Sequence, residues 1–506
     1  MATSRDHRAA AADFRQYIKE LQDEDDLLTI TEEVDPHLEL AAIVRRVYES
    51  EEKAPLFENI NGRKENGLFR VLGAPVGLSP VPGQRLGRIA KSLGLPSTAT
   101  GWDIIERINA AKKSPPIPPK EVLSGPIKEH RIFGDEIDLT ALPVPLLHED
   151  DGGKYLETFG MHIVQTPDGR WTNWSITRAM VHDKRTLVGP IIPKQDIGVI
   201  WQMWKERGED MPWALCFGVP PAAIMVGGMP IPQWTDESAF IGSLTGSPVE
   251  VVKCDTNELR VPANAEIVLE GVVSTSETAP EGPMSEYHGL VFPGQSRQCP
   301  LFKVNAITHR ENPILPICVA GRATEENHTL WGVMVAAEVL NICQAAELPI
   351  KMAWCPFESH GLWWVVQADR QKMRALETNI ADFSTKLGHV VFGSKPGWYI
   401  PKLYLVGDDI DPTNLRDVIW AEATRCQPGT NEFLFDEYGN MTLIPYVGYG
   451  TKPERHHKKV VRCCMLPCEF VDEHLPWKAG SFQGSYPVDV QKKVIRDWGK
   501  YGYSRA

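Results

Sequence analysis

Met161-His-Ile-Val-Gln165, then Thr166-Pro-Asp-Gly169, then Trp171-Thr-Asn-Trp-Ser-Ile176, reads as strand, turn and strand. The outer segments are rich in β-branched and aromatic side chains. Pro-Asp-Gly between them supplies a preset φ, a side-chain acceptor and a left-handed position, which a tight turn needs. A hairpin here makes the stretch of about 155–310 a β-rich unit of barrel or sandwich type. Apolar strand candidates at 267–273 and 303–307, with Cys254-Asp-Thr-Asn257 as a turn, extend it.

Working outward, Ser114-Pro-Pro-Ile-Pro-Pro119 can be neither helix nor central strand, because each proline lacks a donor and fixes its own φ, so a boundary is expected there. Before it, Asp13 caps a helix running to Leu21. Asp35-Pro36 reads as an N-cap and first-turn proline, opening a helix whose face carries Leu40, Ile43, Val44, Val47 and Tyr48. Beyond Pro316 the pattern alternates: helix 333–346, strand 363–367, helix 372–383, strand 402–406, helix 415–424. The fold class is therefore α/β in the broad sense, an α+β multidomain chain. The expected units are an N-terminal α/β domain at 1–119, a β-rich domain of barrel or sandwich type at 120–315, a C-terminal α/β domain at 316–475 and a tail at 476–506. Tyr486-Pro-Val-Asp489 and Gln491-Lys-Lys-Val-Ile-Arg496 read as a tail helix that reaches a partner subunit.

The length of 506 residues suits about three domains. Lys+Arg 53 against Asp+Glu 66 leaves −13, which disfavours nucleic acid or an anionic membrane as partner. No apolar run approaches the roughly 18 residues of a spanning helix. Met1-Ala-Thr-Ser-Arg-Asp6 has no apolar core, and Asp6 and Asp13 weigh against organelle transit, so a cytoplasmic protein is expected. Ten cysteines are too sparse for a disulfide framework. His456-His457 with Cys463, Cys464 and Cys468 lacks paired Cys-x-x-Cys spacing and reads as strand and loop thiols rather than a zinc site. Asp408-Asp-Ile-Asp411 reads as a strand-end turn. Phosphate-loop, dinucleotide, nucleophile-elbow and His-Glu-x-x-His signatures are missing, which takes weight from nucleotide hydrolysis, hydride transfer and serine hydrolysis.

Three segments carry candidate chemistry. In Glu277-Thr-Ala-Pro-Glu281-Gly-Pro-Met-Ser-Glu286-Tyr-His288, two carboxylates five apart across Gly-Pro suit one protonated and one ionised acid in a shared pocket, or else a solvated acidic loop. In Trp171–Arg178, strand alternation sends Asn173, Ser175 and Thr177 to one side and Trp174, Ile176 and Arg178 to the other. Arg178 then either holds a carboxylate bidentately or makes a structural ion pair. Asp236-Glu237 places acids before an apolar stretch, as helix starts do.

Together these segments resemble the UbiD family of prenylated-flavin-dependent decarboxylases, in its ferulic-acid and pyrrole-2-carboxylate branch. The resemblance rests on Thr172-Asn-Trp-Ser-Ile-Thr-Arg178, Phe217-Gly-Val-Pro-Pro-Ala-Ala-Ile224, Glu237-Ser-Ala-Phe-Ile-Gly242, Glu277-Thr-Ala-Pro-Glu-Gly-Pro283, Glu326-Asn-His-Thr329 and Leu403-Tyr-Leu-Val-Gly-Asp-Asp-Ile-Asp411, and it runs over nearly the whole chain. It implies a central split β-barrel that binds prenylated FMN and a C-terminal tail that makes a homodimer. It implies reversible, non-oxidative decarboxylation of an aromatic, heteroaromatic or α,β-unsaturated (cinnamic-type) acid through a covalent flavin adduct, with release of CO2. In that scheme Glu286 donates the proton, and Arg178 and Glu281 support it.

By the same resemblance, Asn173, Ser175, Ile176, Thr177, Arg178, Gln195, Met229, Glu237 and Lys395 bind the flavin. Asn173, Asp196 and Glu237 hold Mn²⁺ (or Mg²⁺), with K⁺ adjacent, and Ile192, Asn327, Trp331 and Met441 line the substrate pocket. Met229 and Arg425 match positions near the potassium and phosphate, and Trp331 is either a pocket wall or a core residue. A flavin prenyltransferase would supply the cofactor. Asp196 departs from the family, whose third metal ligand is a His. A carboxylate there sets a negative charge beside a phosphate, and a cofactor-poor, non-catalytic homologue is one alternative it opens. An ordinary flavin oxidoreductase is the other. An acidic chain can hold a flavin phosphate and an anionic acid only by concentrating Arg178, Lys395 and bound cations locally.

Overall fold

The hairpin forms as read. Gly160–Gln165 pairs antiparallel with Thr172–Ser175, setting His162 opposite Ser175, and Gly169 takes the left-handed position of the turn at φ +73°. It is one end of a nine-stranded half-barrel sheet, all antiparallel, running Tyr155–Glu157, Ala179–Val181, Thr186–Val188, Arg297–His309, Ile267–Glu281, Met211–Phe217, Gly160–Gln165, Thr172–Ser175, with His130–Phe133 added alongside Arg297–His309. This computed structural model describes residues 8–62, 70–292, 294–322, 324–441, 443–447, 457–470 and 479–503.

Period-two alternation gives the central sheet two buried faces. Ile163, Ala214, Cys216 and Val268 join an apolar core shared with the C-terminal part of the chain. Val164, Trp213, Leu215 and Leu269 join the core shared with the N-terminal part. The strand candidates at 267–273 and 303–307 are the middles of two long strands, Ile267–Glu281 and Arg297–His309. Their ladder shifts register between Val273 and Thr278, and beyond the shift Glu281 faces Arg297.

Four strands make the N-terminal sheet: Leu27–Ile30, Ala54–Phe57, Arg70–Gly73 and Ile314–Ile317. The last of these follows the central strand Arg297–His309 in the chain and pairs parallel with Arg70–Gly73, a long-range pairing that local pattern does not show. A second sheet, Ile350–Trp354, Trp363–Ala368, Lys402–Val406, Lys459–Cys464 and Glu432–Phe435, has three parallel central strands. Parallel strands are covered on both faces, which is why these read as unbroken apolar runs. The helix Trp331–Ala345 packs on Ile350–Trp354 and on Gly101–Lys113, and is buried nearly all round.

Asp13 caps Phe14–Asp23 by accepting from the Gln16 N–H at 2.8 Å, as expected. Asp35 does not cap a helix. It accepts from the His37 N–H at 2.7 Å, and the helix starts later, at Glu39–Ser50. The predicted helix at 372–383 is two helices, Arg370–Ala375 and Ile380–Phe392, parted where Glu377 turns left-handed (φ +48°) and Asn379 caps the second. Residues 114–119 are irregular, as their prolines require. All ten cysteines are unpaired. Cys463 and Cys464 lie in a strand and Cys468 in a short turn, while His456 falls outside the described residues. Among the described residues no helix is long and apolar enough to cross a membrane.

Candidate active site

A cavity of about 610 Å³ opens between the hairpin, the loop after Glu281 and C-terminal residues that include Trp331, Lys395, Tyr399 and Met441. Its wall includes Asn173, Ser175, Ile176, Thr177, Arg178, Ile192, Gln195, Asp196, Met229, Glu237, Glu286, Asn327, Trp331, Lys395 and Met441. Glu281 stands behind the wall, bonded to Arg178. Residues from Asn173 to Met441 thus converge on one site. The strand reading fails in one place: Thr172–Ser175 ends early, so Ile176, Thr177 and Arg178 do not alternate and all three face the cavity. Arg425 is not in the wall; it forms a two-pronged pair with Asp409, at 3.0 and 2.7 Å.

At one end of the cavity Arg178 joins two acids. Its Nε and Nη2 donate to Glu281 Oε1 and Oε2 at 2.8 and 3.2 Å, and its Nη1 donates to Glu286 Oε1 at 2.6 Å. Glu281 is the last residue of its long strand and has no exposed side-chain surface; Glu286 is 4% exposed. Burial alone would raise the Glu281 carboxyl, but the Arg178 charge and hydrogen bonds, with one from Tyr155 at 2.7 Å, hold it below the usual carboxylate value. Burial alone would lower Arg178, and the two carboxylates instead raise it well above its ordinary value. Arg297, also in the wall, adds a second cation 3.7 Å from Glu281. Charge-assisted bonds of this kind are short and directional, and they fix the guanidinium plane.

At the other end, Glu237 opens the helix Glu237–Thr245, which Asp236 caps through the Ser238 and Ala239 N–H groups. The helix-start reading holds for both acids. From the first turn Glu237 also points back to the hairpin, accepting from Asn173 Nδ2 at 3.0 Å and the Trp174 N–H at 3.2 Å. Burial pushes its carboxyl up to about 8. Asn173 Oδ1 and Ser175 Oγ are buried and have no hydrogen-bond partner among the described residues. Asp196 begins the helix Asp196–Arg207 and pairs with Lys395 at 2.7 Å, and the same ammonium donates to the Ile231 carbonyl at 2.7 Å.

The substrate-side residues are held from behind. Trp331 stands edge-on to Trp364 and Tyr399, with centroids at 5.6 and 5.4 Å, so it is both a core packer and a cavity wall. Asn327 donates to Glu325 Oε2 through its backbone at 2.7 Å and its amide at 3.0 Å. Sequence reasoning missed Tyr155, Arg297 and the wall acid Glu157. No local spacing marks the first two, since they meet Glu281 only through strand pairing and the fold of the sheet. Glu157 accepts from the Gly160 N–H at 2.5 Å, and burial pushes its carboxyl well up.

The comparisons with known proteins agree in order along the chain. Three domain families match: the 3-octaprenyl-4-hydroxybenzoate carboxy-lyase N-terminal domain over residues 18–108, its Rift-related domain over 120–323 and its C-terminal domain over 328–464. The pyrrole-2-carboxylic acid decarboxylase of Pseudomonas aeruginosa is 44% identical over 98% of this chain and 99% of its own. Ferulic acid decarboxylase 1 of Saccharomyces cerevisiae is 42% identical over 97% and 99%. Among solved structures, an evolved dimeric form of the UbiD-class enzyme HmfF from Pelotomaculum thermopropionicum, in complex with prFMN, is 25% identical with a TM-score of 0.73 over 92% and 97%. The closed form of the Sedimentibacter hydroxybenzoicus vanillic acid decarboxylase shares the fold, with a TM-score of 0.81 at 24% identity over 97% and 99%.

Proposed function

Because the chain belongs to the UbiD family of carboxy-lyases, we propose that it decarboxylates an aromatic, heteroaromatic or cinnamic-type acid, reversibly and without oxidation, using prenylated FMN. The observation that carries this is Arg178 clamped between Glu281 and Glu286 on the cavity wall. Bound there, the prenylated flavin supplies the electron sink that no side chain provides for a carbanion at an sp² carbon.

The residues present suit that group. The orphaned Asn173 Oδ1, with the Glu237 and Asp196 carboxylates, is a set of hard oxygen donors of the kind that takes Mn²⁺ or Mg²⁺. Lys395 offers a cation to the phosphate, and Ser175, Ile176, Thr177, Gln195 and Met229 complete the wall on that side, with K⁺ as the second cation. Arg178 orients the substrate carboxylate, a role that its planar fork performs and an ammonium does not. Glu281, held ionised, keeps Arg178 charged and aimed. Glu286, on the same guanidinium, delivers the proton to the carbon that loses CO2. A positioned acid of this kind is worth about 10²–10⁴ in rate. Ile192, Asn327, Trp331 and Met441 bound the acid, and the rigid Trp331 favours a flat, compact ring over a long acrylic chain.

The Asp196–Lys395 pair favours lower cofactor loading, because it spends on a carboxylate the ammonium that a phosphate would use. The tail supports a homodimer: Val488, Val490 and Ile495 of the helix Val488–Asp497 are exposed in the single chain, and a second copy would cover them. Co-expression with a flavin prenyltransferase, followed by the absorption spectrum, the intact cofactor mass and CO2 release from pyrrole-2-carboxylic, cinnamic and ferulic acids, tests the reading. Prenylated FMN with release from at least one acid is expected. Unmodified FMN with redox turnover, or no flavin and no release, would overturn it.

A further inference from the structure

Glu286 sits on residues 282–290, which have no regular secondary structure. A proton donor on such a segment needs external fixing, since a displacement near 1 Å costs about 10²-fold in rate. Before Glu286 the fixing comes from the central domain: the Ser285 N–H donates to Asp151 Oδ1 at 3.0 Å, and the Gly152 N–H donates to the Pro283 carbonyl at 2.7 Å. After Glu286 it comes from the other side of the cavity. The Tyr287 carbonyl accepts from His328 Nε2 at 2.8 Å and from His360 Nδ1 at 3.1 Å. A carbonyl oxygen has two lone pairs, and an imidazole nitrogen facing it can only donate, so both acceptor positions are taken by ring N–H groups. The rings meet edge to face, 4.9 Å apart.

Each imidazole is itself set. His328 is fully buried in the short helix Glu326–Thr329, and its Nδ1 accepts from the Glu325 N–H at 3.1 Å, which leaves the proton on Nε2 where Tyr287 needs it. Burial, then the neighbouring His360, pushes His328 down to about 3, so Nδ1 stays an acceptor across the working pH range. His360 follows the turn Phe357–Ser359 in the left-handed conformation, φ +55°, which aims its ring back across Tyr287. Glu325 Oε2 also binds Asn327, a substrate-wall residue. The short turn that shapes the substrate wall is therefore the turn that holds the segment carrying the acid.

We infer that His328 and His360 are positioning residues for protonation, pinning the Tyr287 carbonyl so that Glu286 keeps its place beside Arg178. This rests on Glu286 being the proton donor. The test uses holoenzyme from prenyltransferase co-expression and the acid that the wild type decarboxylates fastest, with kcat in H2O and D2O, KM and flavin absorbance measured together. His328→Leu is expected to lower kcat about tenfold, with KM and flavin content unchanged and a larger solvent isotope effect, because the proton step becomes slower. His328→Gln, whose amide N–H reaches the Nε2 position, should recover most of the loss. His360→Leu, at a less buried position, gives the same signature more weakly and stands in where His328→Leu does not fold. Unimpaired kcat in both Leu variants, beside an inactive Glu286→Gln, overturns this inference alone. A loss that follows flavin content with an unchanged isotope effect also overturns it. Turnover by Glu286→Gln overturns the reading of Glu286 itself, and this inference with it.

Discussion

The two ends of the cavity are built on opposite principles. At the Arg178 end the protein supplies both signs of charge: one guanidinium, two carboxylates, a tyrosine hydroxyl and a second arginine, with all five donor and acceptor distances between Arg178, Glu281, Glu286, Tyr155 and Arg297 at 3.7 Å or less. At the Lys395 end the ammonium is paired with the Asp196 carboxylate, Glu237 is bonded to Asn173 and the Trp174 N–H, and Asn173 Oδ1 and Ser175 Oγ are buried without partners among the described residues. A buried polar atom without a partner costs about 1–3 kcal/mol. The first end is complete as folded, and in the proposed function the second is completed by cations and a phosphate. Chemistry and cofactor loading should therefore fail independently, and variants at one end should leave the other intact.

A large separation, second to that of Glu286→Gln, is expected from Arg178→Lys. An ammonium cannot span Glu281 and Glu286 together, and kcat should fall about 10²-fold while flavin content holds. Equal loss of flavin would merge the two ends. Asp196→His works in the other direction. It frees Lys395 and restores an imidazole ligand, so Mn²⁺ retention and bound flavin should rise about tenfold, read by metal analysis and absorbance, with kcat per bound flavin unchanged. No gain in occupancy would remove Asp196 as the limit on loading. Tyr155→Phe deletes one bond to Glu281 and should lower kcat about fivefold, the worth of about 1 kcal/mol, with no effect on flavin.

The smallest effect is on stability against pH. The folded-state value of Glu281 lies below its unfolded value of 4.5, so its contribution is fully present above that pH and is lost as pH falls through the lower folded value. Thermal midpoints taken from pH 7 downward should therefore drop more steeply below about pH 4.5 in the wild type than in Glu281→Gln. Parallel curves would mean that Arg178 does not hold Glu281 ionised.

What could be read from residues alone divides along the same line of locality. The hairpin around Asn173, the cap at Asp13, the strand at Lys402–Val406 and the turn at Cys254 rest on neighbours within a few positions, and the structure has them. Leu38, at φ +74°, delays the helix that Asp35-Pro36 suggested, and the break at Asn379 carried a usable signal in its own capping side chain. The strand Ile314–Ile317 in the N-terminal sheet, the Glu281–Arg297 register and the two imidazoles on Tyr287 join residues far apart in the chain, and spacing does not mark them. The site set was named through motif resemblance. The spacing of Glu281 and Glu286 alone favoured a solvated loop, and it is burial against Arg178 that overturns that reading.

The most direct test of two separable ends is one holoenzyme preparation of Glu286→Gln, with bound prenylated flavin per chain and CO2 release measured on the same sample. The account predicts wild-type flavin content and CO2 release lowered by about 10³-fold. Release near the wild-type rate, or loss of the flavin together with the activity, would contradict it.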